Sequence, residues 1–347
     1  MAYFLGLFGG QGPNPSAALF KNGALIAMAE EERFNRIKNS PNAIPINAIK
    51  FCIDSANIKI SEISEFGFGW ECDSYYSNWP EFSRKIRKIY SSYDQSYDLN
   101  YEERIRTGFN PIRIKEDIKF SLAKLNLVFD TNKLKFYNHH ECHAASTFFM
   151  SGFQEALVFS IDGSGEEITT SVWVGNKTDL KLVYKKNLPD TLGGFYATFT
   201  EFLGFKANSE EGKLMGLAPY GKYCQEIQNK LDKFISFDPS KMDFTINMEM
   251  RFIGVRTWNN LFTDKFVDIF GQPRAKNEEL SQYHKDLAFN VQHRLETILT
   301  SMVSFFVNKF EIHKICLAGG VAMNCKMRSE EHTSELQSRV DISYAVF

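Results

Sequence analysis

Two imidazoles and one carboxylate occur at a spacing that suits a divalent metal ion. His139 and His143 are four residues apart in the run Asn138-His-His-Glu-Cys-His, and Asp162 follows His143 by nineteen residues. Side chains four apart on a helix lie on the same face, so both rings can reach one ion. A carboxylate is a common third ligand. On spacing alone, polar residues at the start of a solvated helix explain the histidine pair equally well.

The residues around Asp162 predict the element that positions it. Ala156 to Ile161 is an apolar run typical of a strand, and Asp162-Gly-Ser-Gly-Glu-Glu predicts a glycine turn at its end. Thr169 to Val174 predicts a second strand, which leads to a tight turn at Gly175-Asn176, and Leu180 to Tyr184 returns as a third. The order is strand, glycine loop and hairpin.

The N-terminal residues have the same order. Tyr3 to Phe8 predicts a strand before a loop that begins at Gly9, and Asn22-Gly23 joins two further strands, Ser16 to Phe20 and Ala24 to Ala29. Two copies indicate an internal duplication. The predicted fold class is α/β, with two strand-hairpin-helix lobes around a nucleotide cleft. This is the architecture of the actin, hexokinase and heat-shock ATPase superfamily. Glycine in the two loops lets backbone N–H groups approach the phosphates of the nucleotide. A pair of ordinary meanders is the alternative.

Two later stretches combine glycine with groups that suit an anionic ligand. Lys213 lies in a glycine-rich segment that we predict to be a loop, with Gly216 three residues further on. Lys314 to Ala318 predicts a buried strand, and it leads into Gly319-Gly-Val-Ala-Met-Asn. A strand followed by Gly-Gly and a helix start is a favourable geometry for phosphate. Turn chemistry alone would account for either stretch.

We expect two lobes, residues 1–153 and 154–327, with a helical insertion at about 73–133 in the first. Asp286 to Phe306 predicts a long amphipathic helix, with His293 on its surface. The stretch from Arg328 to Ser338 matches the in-frame translation of a DNA sequencing adapter. Residues 328–347 are therefore expected to be an artefact, excluded from the fold, and the chain to be a fragment of a longer protein.

Composition narrows the classes of partner. Hydrophobic residues make up 44% and charged residues 24% of the 347 positions, which is ordinary for a globular protein with a sizeable core. The net charge of −2 gives no electrostatic support to a nucleic-acid partner. No apolar run is long enough to cross a bilayer. Six dispersed cysteines and the lack of a signal-type N-terminus favour a reduced, cytoplasmic protein.

Five motifs in this order resemble the O-carbamoyltransferase family, which includes the nodulation carbamoyltransferases and enzymes that modify antibiotics. They cover nearly all of residues 3–327. They are Ser16-Ala-Ala-Leu with Glu30-Glu-Glu-Arg-Phe and Arg36-Ile-Lys, His139-His-Glu-Cys-His-Ala-Ala-Ser, Asp162-Gly-Ser-Gly-Glu, Glu211-Gly-Lys-Leu-Met-Gly-Leu-Ala-Pro-Tyr-Gly and Leu317-Ala-Gly-Gly-Val-Ala-Met-Asn. The chain departs from the family at Pro13-Asn14-Pro15, where many members have a His-Asp pair.

The resemblance implies a carbamoyl-transferring domain, similar to the tRNA threonylcarbamoyl transferases. A C-terminal domain, missing here, would make carbamoyl adenylate from carbamoyl phosphate and ATP. The carbamoyl group would then pass to a hydroxyl of a small-molecule acceptor, a sugar or a natural product. By the same resemblance, His139, His143 and Asp162 would hold a divalent metal, Fe²⁺ in the family. A further family aspartate ligand is absent from this chain.

The resemblance also implies roles for other residues. The catalytic base for the attacking hydroxyl would be His140 or Asp162, between which the sequence does not choose. The nucleotide or adenylate contacts would come from six positions: Lys213, Gly216, Gly319, Gly320, Val321 and Asn324. Two alternatives stay open. One is a tRNA threonylcarbamoyl transferase-like protein, and the other is a non-catalytic nucleotide-binding module whose histidines are only structural.

Overall fold

The computed structural model describes residues 2–12, 14–89, 107–252, 261–326 and 341–344. The chain divides into two compact units, Met1–Lys85 with Asp94–Cys142, and Ile86–Tyr93 with His143–Phe347. The sequence placed this division after residue 153, eleven positions later. Within the described residues, no helix is both long and apolar enough to cross a membrane.

The first unit is built on a five-stranded sheet in the order β3-β2-β1-β4-β5. Strands β1, β2 and β3 form an antiparallel meander, whereas β4 runs parallel to β1 and β5 parallel to β4. The bounds of the strands are β1 Tyr3–Phe8, β2 Ser16–Lys21, β3 Ala24–Glu30, β4 Ile63–Phe68 and β5 Leu134–Phe136. The helices of the same part of the chain are α1 Glu32–Asn35, α2 Ile46–Ala56, α3 Cys72–Ile89 and α4 Pro111–Ala123.

The turn between β2 and β3 confirms the predicted hairpin. Asn22 and Gly23 have φ values of 51° and 83°, so both central residues of this two-residue loop lie in the left-handed region. A two-residue hairpin with both φ values positive is the type I′ turn, for which Asn-Gly is the preferred pair. The turn therefore sets the pairing of Lys21 with Ala24 at the end of the β2–β3 hairpin.

One face of the first sheet carries the core of its unit. Leu5, Leu7 and Leu19 on the strands are buried together with Ile49 of α2 and Ile118 of α4. These positions alternate along each strand, as expected when a single face is buried. The thiol of Cys52, also on α2, is buried in the same core, and burial raises its pKa to about 11.

The second unit repeats the topology of the first. Its sheet has the order β12-β11-β6-β7-β8, with β6 antiparallel to β7, β7 antiparallel to β8, β11 parallel to β6 and β12 parallel to β11. The first sheet has the same pairings in the same order, so the predicted duplication of the strand order and the α/β class are confirmed. The bounds are β6 Glu155–Ile161, β7 Ile168–Asn176, β8 Asp179–Asn187, β11 Lys314–Ala318 and β12 Asp341–Tyr344. A small separate hairpin is formed by β9 Ile235–Asp238 and β10 Asp243–Ile246.

Helices supply the rest of the second core. Phenylalanines of α6, α8 and α9 pack against one another, as in the contact of Phe199 with Phe234 and Phe270. The helices are α5 His139–Ser151, α6 Leu192–Phe202, α7 Glu211–Leu217, α8 Gln225–Phe234, α9 Asp264–Phe270 and α10 Gln282–Phe310. Helix α10 contains the predicted amphipathic segment, and His293 lies exposed on it as expected. Cys316 of β11 is buried, and burial raises the pKa of its thiol to about 11.

Two local predictions were wrong. The hairpin of β7 and β8 turns at residues 177–178 rather than at Gly175-Asn176, because both of those residues pair within β7 and Lys177 takes the positive φ of 53°. The segment around Lys213 is helical rather than a loop, since α7 runs from Glu211 to Leu217 despite its two glycines.

Part of the tail that the sequence analysis excluded lies within the described residues. Asp341–Tyr344 forms β12, the edge strand beside β11, with Ile342 opposite Ile315. Residues 327–340 and 345–347 lie outside the described residues. The adapter origin of the tail remains a prediction.

Candidate metal centre

Helix α5 carries the two histidines of the predicted pair. The side chain of Asn138 accepts a hydrogen bond from the backbone N–H of Glu141 at 3.0 Å, as an N-cap residue does. The helix then begins at His139, and His143 lies four positions further on, on the same face. The predicted element and spacing are both present.

The ring of His139 is oriented by the backbone at the end of β4. Its Nδ1 lies 3.1 Å from the carbonyl oxygen of Gly69, so Nδ1–H donates and the lone pair lies on Nε2. The indole of Trp70 packs beside the imidazole, with ring centroids 4.9 Å apart. A backbone carbonyl on the remote ring nitrogen is the support that metal-bound histidines commonly have.

Asp162 stands at the end of β6, where the sequence predicted a carboxylate in a turn. Its Oδ1 accepts a hydrogen bond from the backbone N–H of Gly163 at 2.6 Å, and its Oδ2 lies 3.1 Å from Nε2 of His143. Side-chain exposure is 16% for His143 and 22% for Asp162, so both groups are accessible to an ion from solvent. One oxygen is thus held by the turn while the other is directed at the imidazole.

The three side chains have the donor set and the separations of a metal site. One ligand atom from each of His139, His143 and Asp162 can be chosen so that all lie within 4.8 Å of one another. Two donors that share an ion at about 2.1 Å lie roughly 3 Å apart, close to the separation of His143 and Asp162. Two imidazoles and a carboxylate suit a first-row transition ion such as iron or zinc. The residues therefore fit the implied metal.

Glycine packing fixes the Asp162 turn from two sides. A β-carbon on Gly193 would lie 2.6 Å from the nitrogen of Gly163, and one on Gly319 would lie 2.4 Å from the carbonyl oxygen of Ile161. Gly319 also has a φ of 86°, which only glycine adopts readily. A β-carbon on Gly320 would lie 3.1 Å from Oδ1 of Asp162. The Gly-Gly pair predicted to approach phosphate thus lies directly beside the carboxylate.

Thr191 anchors the same turn. Its hydroxyl donates to the carbonyl oxygen of Gly163 at 2.6 Å and accepts from the N–H of Gly194 at 3.0 Å, which caps α6. The sequence analysis missed Thr191 and Gly193. A Thr followed by Leu-Gly-Gly was the available signal, because an N-cap residue before small residues marks a helix start that can pack closely.

The remaining predicted positions divide into two groups. Val321 is buried in the second core, so only its backbone can face a ligand. Asn324 is 9% exposed, and its side-chain amide pairs with that of Gln292. Oδ1 of Asn324 accepts a hydrogen bond from Nε2 of Gln292 at 3.0 Å, and Nδ2 of Asn324 donates one to Oε1 of Gln292 at 2.8 Å. This amide pair holds Asn324 at the end of the short 3₁₀ turn Gly320–Met323, and the predicted contact of Asn324 with a nucleotide stays a prediction.

Lys213 and Gly216 lie on the surface of α7. The ammonium of Lys213 forms an ion pair with Glu210 at 2.6 Å and its side chain is 56% exposed. Gly216 is exposed and has open space where a β-carbon would be. His140, by contrast, has no exposed surface. Of the two candidate bases, only Asp162 is accessible in this conformation.

A family model described as the carbamoyltransferase N-terminus matches residues 14–342. The chain belongs to this family. Among curated relatives, this carbamoyltransferase-family chain is 34% identical to an uncharacterized Synechocystis protein, over 89% of the chain and 49% of that protein. It is 29% identical to nodulation protein NolNO of Sinorhizobium fredii, over 91% of the chain and 41% of that protein. The chain spans about half the length of these relatives.

A relative that matches a smaller part of the chain is a tRNA N6-adenosine threonylcarbamoyltransferase of Pediococcus pentosaceus, 30% identical over 35% of the chain and 33% of that protein. Among solved structures, one match is component A of (R)-2-hydroxyglutaryl-CoA dehydratase from Acidaminococcus fermentans. The match covers 99% of this chain and 92% of component A, with 14% sequence identity and a TM-score of 0.42. The ROK hexokinase of Thermus thermophilus covers 99% of the chain, with 92% of the hexokinase covered, at 13% identity and a TM-score of 0.40.

Proposed function

We propose that the chain is the carbamoyl-transferring domain of an O-carbamoyltransferase. In the intact protein, a domain C-terminal to this one would make carbamoyl adenylate from carbamoyl phosphate and ATP. The domain described here would transfer the carbamoyl group to a hydroxyl of a sugar or natural product. The observation that carries the proposal is the convergence of His139, His143 and Asp162 in a chain of the carbamoyltransferase family.

The three side chains would hold a divalent cation, Fe²⁺ by the family resemblance, which would supply a Lewis acid beside the carbamoyl carbonyl. Two of the three ligands have a backbone partner that fixes their direction. The Gly69 carbonyl holds the ring of His139, and the Gly163 N–H holds Oδ1 of Asp162. Preorganised ligands need little rearrangement when substrate binds, and this lowers the cost of reaching the transition state.

Asp162 is proposed as the general base that accepts the proton of the attacking hydroxyl. Its carboxylate is partly exposed, whereas His140 is fully buried and would have to move before it could meet a substrate. A base must come within hydrogen-bond distance of the proton that it removes. His140 is then a residue that packs α5 and keeps the histidine pair in place.

The backbone of Gly319, Gly320 and Val321 is proposed to contact the adenylate. This segment lies beside Asp162, and the exposed Gly320 lets a ligand approach the main chain closely. Asn324 supports the segment through Gln292. Lys213 and Gly216 are proposed to contribute to the nucleotide site from α7; Lys213 would have to exchange its ion pair with Glu210 for an anionic ligand.

Metal analysis of the purified chain tests the proposal. After anaerobic reconstitution with Fe²⁺ and gel filtration, inductively coupled plasma mass spectrometry should find about one ion per chain, and His139→Ala and His143→Ala should each lose at least tenfold in affinity. His313→Ala, an exposed histidine outside the site, is the matched control and should retain the ion. Equal metal content in all four proteins would refute the assignment.

A second measurement separates transfer from donor synthesis. The 347-residue chain is expected not to consume carbamoyl phosphate with ATP by itself, because the proposed adenylate-forming domain lies elsewhere. Supplied with synthetic carbamoyl adenylate and a panel of sugar hydroxyl acceptors, the Fe²⁺-loaded chain should release AMP. Consumption of carbamoyl phosphate and ATP by this chain alone would contradict the proposal that a separate domain makes the carbamoyl adenylate.

A tRNA threonylcarbamoyl transferase-like activity is the second candidate, favoured by the partial match to the Pediococcus enzyme. The net charge of −2 opposes it, because phosphate contacts dominate tRNA affinity. Submicromolar binding of tRNA at 150 mM salt, with threonylcarbamoyl adenylate as the preferred donor, would replace the first proposal by this one. ATP binding without metal binding would indicate a nucleotide-binding module instead.

A further inference from the structure

Asp190 lies in the loop between β8 and helix α6, and its carboxylate is held from two sides. The side chain is 13% exposed, and Oδ2 forms an ion pair with the ammonium of Lys186 at 2.9 Å. Oδ1 accepts a hydrogen bond from the backbone N–H of Ile246 at 2.7 Å. Ile246 is the last residue of β10, so the carboxylate joins the loop to the β9–β10 hairpin.

The hairpin is a firm support for this carboxylate. Met242, Phe244 and Ile246 are buried in the core of the second unit. Lys186 also pairs with Asp243 of the same hairpin at 2.6 Å, so one ammonium connects β8 to β10. The loop is therefore fixed to a part of the structure that the core itself holds in place.

The main chain around Asp190 contacts the turn that carries Asp162. The buried hydroxyl of Thr169 donates to the carbonyl oxygen of Asp190 at 2.6 Å, and the carbonyl oxygen of Thr169 accepts the N–H of Asp162 at 2.9 Å. The next residue, Thr191, donates its hydroxyl to the carbonyl oxygen of Gly163 at 2.6 Å. Two short routes therefore join Asp190 to the backbone of the Asp162 turn, one through Thr169 and one through Thr191.

We propose that Asp190 is a positioning residue of the metal centre. By fixing the loop to the hairpin, it holds the turn in which the Asp162 carboxylate is directed at the ion. This inference rests on the proposed function, which assigns Asp162 to the metal. Residues that orient metal ligands commonly change metal affinity by about 10–100-fold when they are replaced.

The energetics of the ion pair agree with such a role. Lys186 and Asp190 are both largely buried, and removing two charges from water offsets most of the attraction between them. An ion pair of this kind contributes little net stability, so the geometry that it fixes is the better account of its presence. The main chain of Asp190 and Thr191 passes that geometry on to the Asp162 turn.

Hydrogen exchange of the metal-free 347-residue chain tests the link without iron. Deuterium uptake is followed by mass spectrometry in the peptide that contains Asp162 and Gly165, whose backbone N–H groups both bond to β7. Asp190→Ala should exchange about tenfold faster in this peptide, because the turn opens more often. Asp243→Ala, the matched control, removes the other partner of Lys186 and should stay within about twofold of the wild-type rate.

Metal binding tests whether the turn positions the ligand. Asp190→Ala should bind Fe²⁺ at least about tenfold more weakly than the wild-type chain, whereas Asp243→Ala should bind it equally well. With Co²⁺ in place of Fe²⁺, the visible absorption bands report the geometry of the ligands. These bands should shift in Asp190→Ala and match the wild type in Asp243→Ala, because a loss of stability alone does not alter the bands of the folded, metal-bound protein.

Two further variants keep the test decisive. Asp190→Asn keeps an oxygen that can accept the N–H of Ile246, so its exchange rate and iron affinity should lie between those of the wild type and of Asp190→Ala. Thr169→Val removes the hydroxyl at the other end of the contact and should speed exchange of the Asp162 peptide in the same way. It replaces Asp190→Ala should circular dichroism show that this variant folds poorly.

Unchanged exchange of the Asp162 peptide in Asp190→Ala and in Thr169→Val would overturn the proposal. Faster exchange with unchanged iron affinity and unchanged Co²⁺ bands would also overturn it, since the turn would then open without displacing the ligand. A wild-type chain that binds no iron would be a failure of the proposed function. In that case the hydrogen exchange still decides whether Asp190 holds the Asp162 turn, so the two failures are distinguishable.

Discussion

The backbone of Gly193 lies against the backbone of Gly163, so close that a β-carbon on Gly193 would be 2.6 Å from the Gly163 nitrogen. This contact places the start of α6 directly behind the turn that carries Asp162. Any side chain at position 193 has to push the turn away, and the carboxylate moves with it. The site is therefore sensitive to a residue that bears no functional group.

Gly193→Ala is expected to destabilise the second unit by about 1–3 kcal/mol, the usual cost of overpacking, and to weaken Fe²⁺ binding. The matched control is Gly212→Ala, where a β-carbon meets nothing within 4 Å. In the helix α7 that substitution should raise the free energy of unfolding by about 0.5–1 kcal/mol. Urea unfolding and iron titration of both variants measure the effects; similar values for both would disprove the packing argument.

Asn324 and Gln292 are expected to act as one unit. Asn324→Ala and Gln292→Ala should each lower the free energy of unfolding, and the double variant should lose less than the sum, with a coupling of about 1–2 kcal/mol. Both single variants should weaken ATP binding by the same factor, because each one releases the same segment. A much larger loss of ATP affinity for Asn324→Ala alone would show instead that its amide contacts the nucleotide.

Glu31 is a buried carboxylate with a structural task. It is 2% exposed, and it accepts hydrogen bonds from the backbone N–H groups of Asn47 and Ala48, both at 3.0 Å, in the first turn of α2. Glu31→Ala should cost about 1–2 kcal/mol, since two N–H groups lose their acceptor. Glu30→Ala removes only an exposed pair with Arg33 and should change stability by less than about 0.5 kcal/mol. Thermal unfolding of Glu31→Ala and Glu30→Ala measures the two losses of stability.

Lowering the pH is expected to destabilise the first turn of helix α10. Burial lowers the pKa of His284, whose Nδ1 accepts the N–H of Ser281 at 3.1 Å. A lowered folded-state pKa means that the neutral ring is favoured in the fold. The contribution of the neutral His284 ring to the free energy of unfolding is therefore complete above about pH 6.5, and it is lost as the pH falls through the pKa of His284 in the folded protein. His284→Gln should flatten the fall in urea midpoint between pH 7.5 and 5.5, whereas His313→Gln, at an exposed position, should not.

The sequence predicts the elements whose signals are local. Asn22-Gly23 specifies its turn because few residue pairs accept two positive φ values, and Ala156 to Ile161 has no other reasonable interpretation than a buried strand. The order of these elements, repeated twice, is enough for the fold class. The histidine spacing is likewise local, since one helix carries both rings.

What the sequence does not predict depends on contacts distant along the chain. The support of His139 by Gly69 joins residues 70 positions apart, and the packing of Gly193 on Gly163 joins residues from different elements. Nothing in their local sequence marks these partners. The loop predicted around Lys213 was wrong because tertiary packing of Leu214 and Leu217 outweighs the low helix propensity of two glycines.

The buried thiols of Cys52 and Cys316 have a practical consequence. Each lies in the core around a different sheet, and a thiol with a pKa of about 11 reacts with alkylating reagents only after its surroundings open. The alkylation rate of each cysteine therefore reports how often the core around its own sheet opens. Pulsed alkylation in mild denaturant would time the opening of each half separately, without any added label.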